Sequence, residues 1–291
     1  SNFLIHYLVG EKMENQVNPL KQYFRKPGIW IKLPSQGNFY NDKPTDLNEM
    51  GEIPIYPLTA KDELMLKNAD ALLNGSAITQ MINSCAPSIT DPMVMPAIDL
   101  DAVLVAIKRC TYGESQDVTC SCPKCETSNE VSINLNQIIS SIKSVEKLEP
   151  VELDNGIKVF IKPVTVHNLL NLNWVQFEQI RNIQLAEQNN VDETTKVNLM
   201  QKSYQVLTEK NIDIVSSCID TVLLPDGIAV TDNENIKDWI NDLSKPDFTK
   251  IEESIMVTSS MGIDKEFNVN CKNCNTDFKS SLDLNPTTFF A

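Results

Sequence analysis

The chain has 291 residues, 42% of them hydrophobic, which is enough to build a sizeable core in one large or two small domains. Its 25 lysines and arginines face 39 aspartates and glutamates, giving a net charge of −14. A surface this negative repels phosphate groups and anionic lipids, which argues against non-specific binding to nucleic acid or membranes. The nine glycines are too widely spaced for a phosphate-binding loop, and the two histidines lie far apart.

The sequence contains no segment that suits a membrane. The longest apolar run, residues 3–9, is too short to span a bilayer and lacks a basic lead-in. We therefore expect neither a signal peptide nor a membrane anchor. In a reducing cytoplasm, eight cysteines favour metal binding or burial over a disulfide framework.

Residues 1–56 are predicted to form an extended N-terminal arm with short strands at 29–33 and 53–56. Residues 57–116 are predicted to form a small helical part. Thr59 is a typical helix N-cap, and we expect its helix to run to about Leu73. Further helices follow near residues 76–85 and from Asp99 to Gly113.

Two of the cysteine spacings are typical of a metal site. These C-x-x-C pairs are Cys122 with Cys125 and Cys271 with Cys274, and each can place two thiolates on one zinc ion. The flanking sequences, residues 117–136 and 266–285, align without a gap, and each has the pattern strand, turn, strand. The sequence therefore predicts a structural Zn²⁺ site of four cysteines in a zinc ribbon built from two distant halves.

The other cysteines are expected to be core thiols. The alignment places Cys120 opposite Val269, at an inward strand position, which favours burial over metal binding. Cys85, Cys110 and Cys218 lie in apolar helical patterns, where a free cysteine behaves as a small hydrophobe. The alternatives for the two pairs are coincidence or a redox site, but a redox site needs one motif rather than two matched copies. Four thiolates also leave no open coordination position, so a catalytic zinc is disfavoured.

Between the half-ribbons, residues 137–263 are predicted to form a mainly helical insertion with a β-hairpin near 150–164, where Asn155-Gly156 is a turn signal. Apolar residues from Thr165 onward keep a helical spacing up to a polar break at 188–190. A second apolar run then reaches Val222, so the two runs suggest a helical hairpin.

Two spacings within this insertion indicate helix capping boxes. Asn190 and Thr231 are each followed by a glutamate three residues later, and each is expected to start a helix. Residues 264–291 hold the second half-ribbon and the C-terminal tail. The predicted fold class is α+β, with a helical part before the ribbon and the insertion within it.

Several motifs, in a fixed order along the chain, resemble one known family. The motifs are Asn18-Pro-Leu-Lys-Gln-Tyr-Phe24, Ile29-x-Ile-x-Leu-Pro-Ser35-x-Gly37-x-x-Tyr40, Pro57-Leu-Thr-Ala-Lys-Asp-Glu63, Asp99-Leu-Asp101, Thr111-Tyr-Gly113, Cys122-Pro-x-Cys125, Cys271-x-x-Cys274 and Asp283-Leu-Asn-Pro-Thr-Thr-Phe-Phe290. Their order resembles the T4-type bacteriophage baseplate hub proteins, also described as hub assembly chaperones. The resemblance covers about residues 18–136 and the ending of the chain.

The resemblance implies a structural or assembly component of the contractile tail hub that is not an enzyme. It implies partners among the other hub or tail proteins, and a location in the virion baseplate or, during assembly, in the host cytoplasm. It transfers no catalytic residues, and neither a small-molecule substrate nor nucleic acid is expected as a partner.

Three aromatic residues of the arm are candidates for contacting a partner. Trp30, Phe39 and Tyr40 are three of the aromatic residues in a locally basic segment that contains prolines, and aromatic residues dominate interface hot spots. The alternative is that they pack on the protein's own core.

Two other function classes stay open from the sequence. One is a zinc-ribbon adaptor or nucleic-acid-associated factor, although the ribbon strands offer few basic residues and the chain is acidic. The other is a hydrolase with paired acidic residues, although the scattered carboxylates form no motif with a nucleophile, a base or a metal partner.

Overall fold

A computed structural model describes residues 18–145, 148–188 and 192–290. After a 3-10 helix (Pro19–Tyr23), the α-helices are α1 (Ala60–Leu66), α2 (Ala69–Leu73), α3 (Ser76–Cys85), α4 (Ala97–Tyr112), α5 (Leu135–Ser140), α6 (Val166–Gln188), α7 (Glu193–Ser217), α8 (Asn233–Asn241), α9 (Lys245–Ser259) and α10 (Pro286–Phe289). The strands are β1 (Ile29–Ile31), β2 (Ile53–Ile55), β3 (Ser115–Ser121), β4 (Ser128–Asn134), β5 (Val151–Glu152), β6 (Lys158–Ile161), β7 (Ile219–Leu223), β8 (Ala229–Val230), β9 (Glu266–Asn270) and β10 (Asp277–Ser281).

The strands form small antiparallel sheets. β1 pairs with β2, β3 with β4, and β9 with β10, each as a two-stranded sheet. The remaining strands form one four-stranded sheet in the order β5-β6-β7-β8. Helices and small sheets together make an α+β fold, as predicted from the sequence.

The first of two hydrophobic cores lies around α4. The whole run from Ala102 to Ile107 is inaccessible to solvent, and β1, β2, α1–α3 and α5 pack around it. Its most deeply buried large side chains are Ile31, Ile53, Ile55, Met81, Ile82, Ile89, Met95, Leu104, Ile107 and Leu135. Burial of each such side chain contributes about 1.5–3 kcal/mol relative to exposure, so this core dominates the stability of the N-terminal half.

The C-terminal segment closes this first core. Phe289 and Phe290 are buried in it, with their rings 5.3 Å apart in an edge-to-face arrangement. The buried Lys108 ammonium group donates a 2.7 Å hydrogen bond to the Phe289 carbonyl oxygen and lies 4.7 Å from the centre of the Tyr112 ring. Burial lowers the pKa of Lys108, and these contacts compensate its desolvation.

Residues 29–56 fold back onto the first core, whereas the sequence suggested an extended arm. Ile31 lies opposite Ile53 in the β1–β2 pair, and both side chains are buried against α4. The β1–β2 pair has several large apolar side chains on one face, and packing this face on the first core removes them from water. The part of the predicted arm before residue 18 lies outside the described residues.

The predicted helix from Thr59 to Leu73 is two helices, because the chain caps a second one inside it. Thr59 is the N-cap of α1, as predicted, and it also forms a capping box with Asp62. After Leu66 the Asn68 side chain accepts a hydrogen bond from the Ala71 amide, which starts α2. Asparagine is preferred at helix N-caps and is unfavourable in the interior of a helix.

The second core lies between the four-stranded sheet and the end of α7, α8 and α9. It consists of Leu153, Val159, Ile161, Val164, Ile214, Val215, Cys218, Ile219, Val222, Ile236, Ile240, Ile251 and Ile255. The sequence pattern placed Val222 in a helical run, but it lies in β7. A short run of β-branched residues fits either structure, and here pairing with β6 and β8 decides the outcome.

Two helix starts in the insertion differ from the predicted capping boxes. The N-cap of α7 is Asp192, whose side chain accepts a hydrogen bond from the Thr195 amide, and Asn190 lies outside the described residues. The N-cap of α8 is Asp232 rather than Thr231. Both aspartates cap the helix alone, without a glutamate three residues later, so the two-residue motif misplaced the cap.

Within the part of the chain that the structure describes, no helix is both long enough and apolar enough to cross a bilayer.

Candidate metal centre

The first cysteine hairpin consists of β3 and β4 joined by a tight turn. The Cys122 amide donates a 3.0 Å hydrogen bond to the Thr127 carbonyl oxygen, and the Glu126 amide donates a 2.9 Å bond to the Cys122 carbonyl oxygen. Glu126 has a φ of +57°, in the left-handed region that lets the chain reverse here. This turn directs both sulfur atoms to the same side of the hairpin.

The second hairpin, β9 and β10, repeats the same turn. The Cys271 amide donates a 3.0 Å bond to the Thr276 carbonyl oxygen, and the Asn275 amide donates a 2.9 Å bond to the Cys271 carbonyl oxygen. Asn275 has a φ of +54°, matching its counterpart in the first hairpin. The gapless alignment therefore reflects two copies of one local structure.

The two hairpins bring all four predicted ligands together. The ligand atoms of Cys122, Cys125, Cys271 and Cys274 all lie within 4.8 Å of one another. Two pairs of sulfur atoms that bridge the hairpins, Cys122 with Cys274 and Cys125 with Cys271, are each 3.6 Å apart. A disulfide needs about 2.05 Å, whereas a tetrahedral zinc with bonds of about 2.3 Å holds its sulfurs about 3.8 Å apart. The spacing fits four thiolates around one ion.

Hydrogen bonds prepare two of these thiols to act as ligands, which must be deprotonated. The Thr127 hydroxyl lies 3.3 Å from the Cys125 sulfur and lowers the pKa of that thiol to about 6. Backbone amides of Cys274 and Asn273 lower the pKa of Cys271. By contrast, burial raises the pKa of Cys122 to about 11, so a cation beside this sulfur would favour its deprotonation.

Asn129 is a supporting residue that the sequence analysis missed. It lies in β4, is buried, and its Oδ1 accepts a 2.9 Å hydrogen bond from the Lys272 amide in the other hairpin. Its Nδ2 donates to the Thr127 carbonyl oxygen at 2.8 Å and lies 3.8 Å from the Cys271 sulfur. The alignment pairs the polar Asn129 with the apolar Phe278, and this mismatch is the one sequence feature that could have indicated a special role for Asn129.

The comparison with known families extends what the motifs suggested. Residues 29–291 match the family model described as T4 bacteriophage base plate protein. The chain belongs to this family. The match includes both cysteine hairpins and the insertion between them. No curated protein and no solved structure matches the chain. Family membership indicates a structural role in the phage tail baseplate, among other tail proteins.

The other cysteines of this baseplate protein lie apart from the four-thiol cluster. Cys120 is half-buried on the same face of β3 as Val118, with its sulfur 3.8 Å from the Asn129 carbonyl oxygen. Cys85 and Cys218 are buried in the first and second cores, and burial raises the pKa of each to about 11. Among the described residues, the four-thiol cluster is the one group of three or more potential metal ligands.

The three predicted partner-binding aromatics have different environments. The Tyr40 hydroxyl donates a 2.8 Å hydrogen bond to the buried Asp99 carboxylate, which also accepts from the Ser35 amide. Burial, and then the Asp99 charge, raises the pKa of Tyr40. Phe39 is half-buried, and Trp30 keeps 41% of its surface exposed. Tyr40 is thus partly engaged within the protein, while Trp30 has the most exposed side chain of the three.

Proposed function

We propose that this protein is a structural or assembly component of the tail baseplate hub, which acts through protein–protein contacts and is held together by a structural Zn²⁺ ion. The observation that supports the proposal is the convergence of four thiols from two hairpins, in which Cys125 and Cys271 are 146 positions apart. No residue is assigned a catalytic role.

In this proposal Cys122, Cys125, Cys271 and Cys274 hold the ion. The ion supplies the positive charge that offsets four thiolates and links the two hairpins. Because the four sulfurs complete a tetrahedral set, no coordination position remains open for water or substrate. The link also closes a very long loop, whose entropic cost grows only slowly with its length.

Metal analysis of the purified full chain tests this site. We expect one zinc per chain, and we expect Cys274→Ser to lose most of it. Cys120→Ser is the matched control, because this thiol is two positions from Cys122 but outside the cluster. Absence of zinc from the natural sequence, or equal loss in both variants, would reject the structural zinc.

The partner surface is proposed to include Trp30, with smaller contributions from Phe39 and Tyr40. We expect Trp30→Ala to reduce recovery of the protein with tail assembly intermediates from infected cells, without a change in melting temperature. Tyr40→Phe should instead lower the melting temperature, since it removes the hydrogen bond to Asp99. If Trp30→Ala lowers stability and leaves recovery unchanged, the residue serves the core and this surface is wrong.

The amount of the protein in purified particles and in infected-cell lysate would separate a virion component from a factor present only in the host cytoplasm during assembly. A particle-bound copy supports a permanent baseplate role. Its presence in lysate alone supports an assembly factor.

A further inference from the structure

The outer part of the α6–α7 hairpin, residues 173–188 and 192–209, lies beyond both cores. Leu169, Leu172 and Ile212, at the base of the hairpin, pack against the second core. Among the side chains that the structure describes in the outer part, Ser203 alone is buried. This part of the hairpin therefore has no hydrophobic core of its own.

The contact between the two outer helices is partly polar. On α6 the half-buried residues are Val175, Gln179 and Ile183, spaced four residues apart so that they share one face. On α7 the buried Ser203 and the half-buried Leu207 lie beside them. A glutamine and a serine at this contact contribute little apolar burial, so the hairpin gains little stability from it.

Large apolar side chains lie instead on an open face beside this contact. Ile180, Met200 and Tyr204 are 56%, 43% and 66% exposed, and they line a groove of about 280 Å³ between the helices. Every residue that lines this groove is uncharged. In a chain with a net charge of −14, such a face is one on which two like-charged copies can meet without local repulsion.

We infer that a second copy of this chain covers this groove, so that two α6–α7 hairpins form an antiparallel four-helix bundle around a two-fold axis. The face is self-complementary, because the small Ser203 lies in the groove while Tyr204 and Ile180 protrude beside it. A two-fold axis places the protruding side chains of each copy over the groove of the other. The inference is independent of the metal site.

Glu187 on α6 and Lys196 and Lys210 on α7 are charged residues at the ends of the groove. The positions of Glu187 and Lys210 favour the antiparallel arrangement. Glu187 follows Ile180 by seven residues on α6, and Lys210 follows Ser203 by seven on α7, so each lies on the groove side of its helix. Since the helices run in opposite directions, the two residues lie about 10 Å from the middle of the groove toward opposite ends. The two-fold axis therefore brings Glu187 of each copy near Lys210 of the other.

Both residues are available for this contact. Glu187 is exposed, Lys210 is half-exposed, and neither forms an ion pair within the described ranges of the chain. The dimer would thus contain two equivalent charge pairs at the rim of an apolar contact, a distribution typical of protein interfaces.

Sedimentation velocity of the full chain over a range of concentrations tests the inference. We expect a monomer–dimer equilibrium whose dissociation constant rises at least tenfold in Met200→Asp. The matched control is Met256→Asp, because Met256 is also an exposed methionine on a helix, with 71% of its surface accessible, but lies on α9. A monomer at every concentration, an equal effect of both variants, or occupation of the groove by a different tail protein alone would overturn it.

Charge reversal tests the arrangement itself. Glu187→Lys places two lysines near each other at both ends of the bundle and should weaken the dimer several-fold at low salt. The double variant Glu187→Lys/Lys210→Glu should restore the dissociation constant, and the difference should shrink as salt is added. A double variant as weak as the single one would overturn the antiparallel arrangement.

Discussion

The paired cysteine hairpins and the α6–α7 hairpin both bury few apolar side chains, yet they are held in different ways. The two helices are neighbours in sequence and 23 and 25 residues long, so a weak contact is enough to keep them side by side. The cysteine hairpins have strands of five to seven residues and are far apart in sequence. Joining distant segments loses more chain entropy, and in the proposed function metal binding by the four thiols offsets this loss.

The largest effect should come from removing one buried ligand. We expect Cys271→Ser to lower the free energy of unfolding by several kcal/mol, because metal binding to such sites is coupled to folding. Urea unfolding followed by circular dichroism measures it, and much of the α6–α7 helical signal should persist. Cys120→Ser should cost less than about 1 kcal/mol. If the Cys271→Ser protein is as stable as the unchanged protein, the four thiols do not hold the cysteine hairpins together, and the contrast with the α6–α7 hairpin is wrong.

An intermediate effect is expected at the residue that links the two cysteine hairpins. Asn129→Ala should lower the free energy of unfolding by about 2 kcal/mol, because it removes the two hydrogen bonds that the buried Asn129 side chain forms with the Lys272 amide and the Thr127 carbonyl oxygen. The control is Asn270→Ala, an exposed asparagine of β9 that donates to Asp277, which should cost about 0.5 kcal/mol or less. Equal costs in the same urea experiment would show that Asn129 does not hold the hairpins together.

The smallest effect, and a gain, is expected in the helical hairpin. Gln179→Leu should raise the free energy of unfolding by about 1 kcal/mol, since it replaces a half-buried polar side chain with an apolar one. Gln184→Leu, an exposed position on the same helix, should change it by less than about 0.5 kcal/mol. Both are measured at a concentration where the protein is monomeric. A loss in Gln179→Leu would mean that the polar contact is already well satisfied.

The four-thiol cluster was more predictable from the sequence than much of the fold. Thiol spacing and the gapless alignment are local signals, and the turns at Cys122 and Cys271 follow from them. Thr59 was likewise recognisable as a helix N-cap, because the groups that such a cap contacts lie within the next few residues. Asn129 was not, since its role depends on the Lys272 amide in the other hairpin.

The secondary structure was hardest to predict where tertiary contacts choose between two local options. Ile219 to Leu223 can be read as helix or strand, and only pairing with β6 and β8 makes it a strand. The two β-type runs near residues 30 and 54 were visible as strands. Their packing on α4 was not visible, because it depends on where that helix lies in the folded chain.

The contact between Lys108 and the Phe289 carbonyl oxygen has a consequence for synthesis. The ribosome synthesises α4 long before the two phenylalanines that complete the first core. The second cysteine pair is also synthesised late, shortly before these phenylalanines. Until then the nascent chain exposes apolar surface that Phe289 and Phe290 cover in the folded protein. We expect such late, long-range closure to slow folding and to expose the nascent chain to aggregation until it is complete.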